Sequence, residues 1–164
     1  MKSWMQVLVT YYSKTGNTEG LAKAVARGVE AVAGVTCVVK AVAEVTKEDF
    51  LAADGVVAGS PVYFGSMAWE LKRRFDEFVG TRRQMGDKVG AAFVTSGHHT
   101  GGKETTLLSI LQAFLIYGMV VVGDPLDASG HYGAACTGAP GNVAQEDAFK
   151  LGRRVAELVK KLNS

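Results

Sequence analysis

Three short stretches concentrate residue types able to hold a polar ligand: "SKTGNT" at 13–18, "SPVYFGS" at 60–66 and "TSGHHTGG" at 95–102. In the first, Ser13, Thr15, Asn17 and Thr18 offer hydroxyl and amide groups, Lys14 adds a charge, and Gly16 lets the backbone turn tightly. The segment that follows has helical spacing. Its first N–H groups, with their partial positive charge, would point back at the loop. That combination suits a phosphate. An ordinary helix N-cap, with Asn17 or Thr18 capping, needs only one such residue, whereas six consecutive positions here are suitable.

Other chemistries fit less well. "GHHTGGKET" at 97–105 has the G-x-x-x-x-G-K spacing of a nucleotide P-loop, but the next residue is Glu104, where that motif needs a hydroxyl on Mg²⁺. A carboxylate there would repel phosphates, and "VVVGD" at 120–124 is a poor acidic partner because Gly123 breaks the pattern. His98 and His99 are adjacent, so their side chains are expected to diverge and make a poor metal pair. No metal site is expected. His131 stands alone before Tyr132 and, as an imidazole, is a candidate to protonate an acceptor oxygen. Cys37 and Cys136 lack any C-x-x-C spacing and read as reduced thiols, which favours a cytoplasmic location.

What must position these loops is a regular alternation of elements. Apolar β-rich runs at 7–12, 35–42, 55–60, 89–95 and 119–123 predict five strands. Amphipathic segments at 19–32, 104–117 and 145–162, and one carrying Met67, Leu71, Phe75 and Phe78 on a single side, predict helices. Only a short helix fits "TKEDFLAADG" between strands two and three. Near-continuous apolar strands alternating with helices predict an open parallel sheet covered on both faces. In such a sheet ligands bind beyond the carboxyl ends of the strands, at the topological switch point. All three polar stretches follow strands, so they should converge on one site.

Composition agrees with that frame. With 164 residues, 48% hydrophobic and 21% charged, the chain fits a single globular domain spanning 1–164. No run of 18 or more apolar residues predicts a membrane span. "MKSWMQVLVTYY" lacks a small-residue cleavage site and reads as a first strand rather than a signal peptide. The net charge of +2 is interspersed. The basic clusters Lys72-Arg73-Arg74 and Arg153-Arg154 fall in helix-like stretches without interleaved aromatics, so nucleic acid is not an expected partner.

The loop "SKTGNT" resembles the [ST]-x-T-G-x-T phosphate loop of flavodoxin-like FMN proteins at every specified position. "GSPVYFGSMAWELKRRFDEF" (59–78), "GGKETTLLSILQAFLIYGMVVVG" (101–123) and "HYGAACTGAPG" (131–141) are similar to segments of the WrbA-type NAD(P)H:quinone oxidoreductases. The resemblance spans about residues 5 to 160. It implies a flavodoxin-like α/β fold, an open five-stranded parallel sheet with helices on both faces.

By that resemblance Ser13, Lys14, Thr15, Gly16, Asn17 and Thr18 would wrap the FMN 5′-phosphate without a metal. Pro61, Val62, Tyr63, Phe64 and Gly65 would run along one side of the isoalloxazine. Thr95, Ser96, Gly97, His98, Gly101 and Gly102 would lie near its pyrimidine edge. Tyr63 or Phe64 would pack on the dimethylbenzene edge; the alternative is that they pack the loop's own core. The implied activity is FMN-dependent hydride transfer from NAD(P)H to a quinone or similar small-molecule acceptor, with no side chain required as a catalytic acid or nucleophile. A rival within the same fold is the flavodoxin-type one-electron carrier; such carriers are usually strongly acidic, and this chain is not. The resemblance also implies a homo-oligomer. Three departures stand out: short segments between strands two and three and at 79–88, and Tyr63 and Tyr117 where that family commonly has Arg and His beside the flavin.

Overall fold

The structure, a computed structural model, describes residues 4–164; the first three residues, read above as leading into the first strand, lie outside the described residues. The apolar runs pair as parallel strands β1 (Met5–Tyr11), β2 (Val35–Ala41), β3 (Gly55–Pro61) and β4 (Val89–Ser96), in the order β2-β1-β3-β4. The fifth position is shared by two pieces. β5 (Val120–Val121) pairs with the start of β4 through Val89 and Gly90, and β6 (Ala134–Thr137) pairs with its end, from Phe93 to Ser96.

The expected run 119–123 therefore gives a strand of two residues only. The chain leaves the sheet after Val122, whose N–H still donates to the Gly90 carbonyl at 3.0 Å, and returns at Gly133. The returning strand β6 completes the sheet where β5 stops.

The helices are α1 (Asn17–Glu30), α2 (Lys47–Ala52), α3 (Trp69–Glu77), α4 (Lys103–Ile116) and α5 (Asn142–Leu162). The short helix expected between the second and third strands is α2. A reciprocal Thr46–Asp49 capping box starts it, and Lys40 Nζ reaches Asp49 at 2.7 Å.

Two cores flank the sheet. Odd-numbered β1 residues Val7 and Val9 pack with Leu21, Val25, Leu151 and Val155 of α1 and α5. Leu8, Val56 and Val94 face Leu71, Phe75, Ile110 and Phe114 of α3 and α4. Burial on both faces is why β3 and β4 carry no polar alternation. α1 and α5 touch backbone to backbone: a Cβ on Gly152 would lie 2.0 Å from the Val25 carbonyl oxygen, and one on Gly28 would lie 1.9 Å from that of Phe149. Among the described residues no helix is long and apolar enough to cross a membrane.

Candidate functional site

The carboxyl ends of β1, β3 and β4 are laced together before any side chain is considered. Tyr12 N–H donates to the Gly59 carbonyl at 3.1 Å, Val62 N–H to Thr95 at 2.8 Å, and Gly138 N–H to Ser96 at 2.8 Å. These bonds carry the ladder beyond the strands and hold three loops at the β1–β3 switch point, where the strand order reverses.

The first loop enters α1 through Gly16, whose φ of 94° is a left-handed conformation that glycine adopts without a Cβ clash. Gly16, at the N-cap, has no side chain with which to cap α1. Ser13 works inside the loop instead: its Oγ accepts the N–H groups of Gly16 at 3.1 Å and Glu19 at 3.3 Å. The helix starts at Asn17, two residues before the expected start, so Asn17 and Thr18 stand in its first turn with its positive end beneath them.

The second loop is a tight hairpin. Tyr63 and Ser66 exchange both backbone hydrogen bonds, at 3.0 and 3.1 Å, around Phe64 (φ 51°) and Gly65 (φ 72°). Two central residues of positive φ define a type I′ turn, for which Asn-Gly is the usual pair. Ser60 anchors the loop by accepting the Ala68 N–H at 2.8 Å and donating to the Pro61 carbonyl at 2.7 Å. Phe64 is fully exposed, so it does not pack the loop's core.

Between these loops lies a cleft of ≈190 Å³. Lys14, Thr15, Asn17 and Thr18 line one wall; Pro61, Val62 and Tyr63 line another; Thr95, Ser96 and Gly97 close it. The structure thus brings ten of the expected residues to one cavity. Gly138 joins them, a position the sequence marked only as one of several trailing glycines. Inside, Thr18 Oγ1 and Thr95 Oγ1 share a buried hydrogen bond of 2.8 Å.

The remaining expected residues stand behind or beside the cleft. Ser13 and Gly16 shape the first loop as described. Gly65 and Gly102 abut, a Cβ on Gly102 falling 3.0 Å from the Gly65 Cα. The Gly102 carbonyl accepts the hydroxyls of Thr105 and Thr106 at 3.0 and 2.9 Å, which starts α4. Gly101 N–H donates to the His98 carbonyl at 3.0 Å. The His98 ring is engaged with Thr100 through Nδ1, 2.9 Å from Thr100 Oγ1.

Two expectations need correction. The rings of His98 and His99 do not diverge; they stack with centroids 4.5 Å apart, and both residues are exposed. Among the described residues no cluster of three His, Cys, Asp or Glu could hold a metal. Tyr117 does not stand beside the cleft. It ends α4 at the opposite end of the sheet, packed edge-on to Phe50 at 5.2 Å, with its hydroxyl donating to the Phe75 carbonyl at 2.6 Å. Burial pushes its phenol up to about 12.

A larger cavity of ≈610 Å³ sits at that opposite end, between Arg82, Leu115 and Gly118. It faces the amino ends of the strands, and Arg82 Nε already donates to the exposed Ile116 carbonyl there. The smaller cleft has the loops, the helix N-terminus and the switch point, so its chemistry outweighs its size.

A sequence family described as NADPH-dependent FMN reductase matches residues 33–133, which include the second and third loops. A flavodoxin of Aquifex aeolicus is 40% identical over 161 residues, covering 94% of this chain and 86% of that protein. An NAD(P)H dehydrogenase (quinone) of Archaeoglobus fulgidus is 35% identical over 190 aligned positions, covering 96% and 98%. At least 26 of those positions have no counterpart in the 164 residues here. Among solved structures, a flavodoxin from the domain Archaea superposes with a TM-score of 0.81 at 26% identity, over 95% of this chain and 99% of that one. A WrbA-like flavodoxin from Agrobacterium tumefaciens superposes with a TM-score of 0.80 at 24% identity, over 96% and 98%, a likeness of fold.

Proposed function

From a chain that belongs to the NADPH-dependent FMN reductase family and has the flavodoxin-like fold, we propose an FMN-dependent oxidoreductase that passes reducing equivalents from NAD(P)H to a quinone or similar small acceptor. The observation that carries the reading is the convergence of three loops on one cleft at the β1–β3 switch point.

The residues present fit FMN. Thr15, Asn17 and Thr18, with the N-terminus of α1, form a donor set for a phosphate dianion that needs no metal. The small residues Thr95, Ser96, Gly97 and Gly138 let a flat ring approach the backbone. Tyr63, just over a third exposed, supplies an aromatic wall at the mouth. Bound FMN would supply the redox chemistry, accepting hydride from the nicotinamide and returning two electrons to the acceptor. The chain's part is to hold the phosphate, orient the ring and limit access. No side chain in the cleft is needed as acid or nucleophile.

The relative named NAD(P)H dehydrogenase (quinone) supports the donor and acceptor classes. The flavodoxin at 40% identity favours a second reading, a one-electron carrier without its own substrate. The net charge of +2 weighs against that carrier, because acidic surfaces steer flavodoxins to basic partners. We retain a cytoplasmic homo-oligomer as part of the proposal.

Steady-state assay of the FMN-loaded protein with NADH or NADPH and a benzoquinone tests the reading. Ping-pong kinetics are expected. Absence of turnover with both donors would count against this reading and favour the carrier.

A further inference from the structure

The lysine that ends the G-x-x-x-x-G-K spacing at 97–103 has no part in the phosphate loop, and the fold gives it another place. Lys103 is the first residue of α4. Its Nζ donates to Thr137 Oγ1 at 3.1 Å, reaching from the start of α4 to the end of β6. In the β4–β6 ladder Thr137 stands opposite Ser96, and Cys136 opposite Thr95. Thr95 and Ser96 close the cleft, and so does Gly138, the residue after Thr137. The ammonium is thus one hydrogen bond from the strand that flanks the ring-side wall. Its charge is felt there: burial raises the Cys136 thiol, and Lys103 opposes the rise.

That charge is not neutralised by an ion pair among the described residues. Lys23, Lys40, Lys72 and Lys150 each hold a carboxylate, at 2.8, 2.7, 2.7 and 3.6 Å. Lys103 holds a hydroxyl instead, and the adjacent Glu104 is exposed and does not pair with it. The start of α4 is also the positive end of a helix dipole, where a cation is disfavoured. Local preference therefore opposes Lys103, and conflicts of that kind concentrate at functional sites.

The cleft has a use for such a charge. Its one lining cation, Lys14, belongs to the phosphate loop, while Thr95, Ser96, Gly97 and Gly138 on the ring side are neutral. A hydride carries two electrons and one proton, so a neutral flavin ring that accepts it gains one unit of negative charge. A fixed cation nearby lowers the free energy of that charge and leaves the neutral oxidised ring almost unaffected.

We propose that Lys103, tethered by Thr137, is the cation that stabilises the reduced ring and so raises the reduction potential of bound FMN. This rests on the reading of the cleft as an FMN site with its ring against the Thr95–Gly97 wall. A lysine serving the phosphate would strengthen binding of both redox states alike; one serving the ring favours the reduced state.

The test is the midpoint potential of the FMN-loaded protein, from dithionite reduction beside a dye of known potential, with the affinity for oxidised FMN titrated separately. Lys103→Met should weaken binding of reduced FMN about tenfold relative to oxidised FMN, a potential lower by about 30 mV for a two-electron couple. Lys103→Arg should keep most of the parent potential. Thr137→Val should fall between, since the tether is lost and the charge remains. Added salt should narrow the gap between parent and Lys103→Met. Without cofactor, the Tm of Lys103→Met should match or exceed that of the parent, because a cation leaves the positive end of a helix. Equal weakening of oxidised and reduced FMN would overturn the inference, as would Lys103→Arg behaving like Lys103→Met. Neither NAD(P)H nor quinone is needed. A parent protein that takes up no FMN overturns this inference and the proposed function together. A parent that binds FMN, with an unchanged potential in Lys103→Met, overturns this inference alone.

Discussion

The hydroxyls of Thr18 and Thr95 meet at 2.8 Å in a buried hydrogen bond across 77 positions of sequence. Thr18 belongs to the first turn of α1 and Thr95 to the last two residues of β4, so one bond joins the phosphate-side loop to the ring-side loop. Thr18→Val keeps the shape and leaves Thr95 Oγ1 buried without its partner, at a cost of about 1–3 kcal/mol. Chemical denaturation should show that loss, and fluorescence titration should show FMN affinity falling about tenfold. The Thr18→Val/Thr95→Val double variant should be less destabilised than the sum of the singles, since both remove the same bond.

Two glycines should separate folding from binding. Gly152→Ala puts a Cβ 2.0 Å from the Val25 carbonyl oxygen where α5 crosses α1, and neither backbone can yield cheaply. A loss of about 1–3 kcal/mol or more is expected, read as a lowered Tm. Gly97→Ala meets nothing within 4 Å, and the residue lines the cleft. Its Tm without cofactor should match the parent while FMN affinity falls.

Phe64 holds φ 51° and is fully exposed, so the hairpin carries a bulky side chain in a left-handed conformation with no packing to offset it. Phe64→Asn should stabilise the fold by up to about 1 kcal/mol, because Asn tolerates that conformation. A rise in Tm accompanied by slower NADPH–quinone turnover would show that the aromatic ring serves the cleft mouth rather than the fold.

Asp124 opens the segment between β5 and β6 and is 6% exposed, both carboxylate oxygens lacking a hydrogen-bond partner among the described residues. Burial, and then repulsion from Asp147, push its carboxyl up to about 6, opposed by the Gly133 amide, His131 and Arg154. The folded state therefore binds this proton more tightly than the unfolded chain, whose carboxyl titrates near 3.8. Between about pH 4 and 6, this group makes the protein more stable as pH falls. Above that window it imposes a penalty on the order of 3 kcal/mol. Asp124→Asn should raise stability at pH 8 and remove this contribution between pH 4 and 6. Urea melts at both pH values would expose an unchanged profile, which would count against burial as the cause.

Much of the frame was legible in the chain itself. Continuous apolar runs such as 55–60 could only be strands covered on both faces, and "SKTGNT" before a helical segment could be read as an anion loop from residue types alone. Those are local properties, set by side-chain volume, polarity and the few backbone shapes glycine permits.

Tertiary structure decided the rest. The strand β6, four residues long, was not among the five expected runs, and it exists because β4 offers it a partner. Whether Phe64 packs or projects depended on a turn closed by Tyr63 and Ser66, not on its hydrophobicity. Tyr117 was drawn to the cleft by resemblance and placed at the far end of the sheet by the length of α4. Thr18 met Thr95 only when parallel crossovers brought distant loops to one edge. Sequence patterns specify which residues are buried and in what element. The contacts that make a site arise from pairing and packing between elements, whose energies depend on positions far apart in the chain.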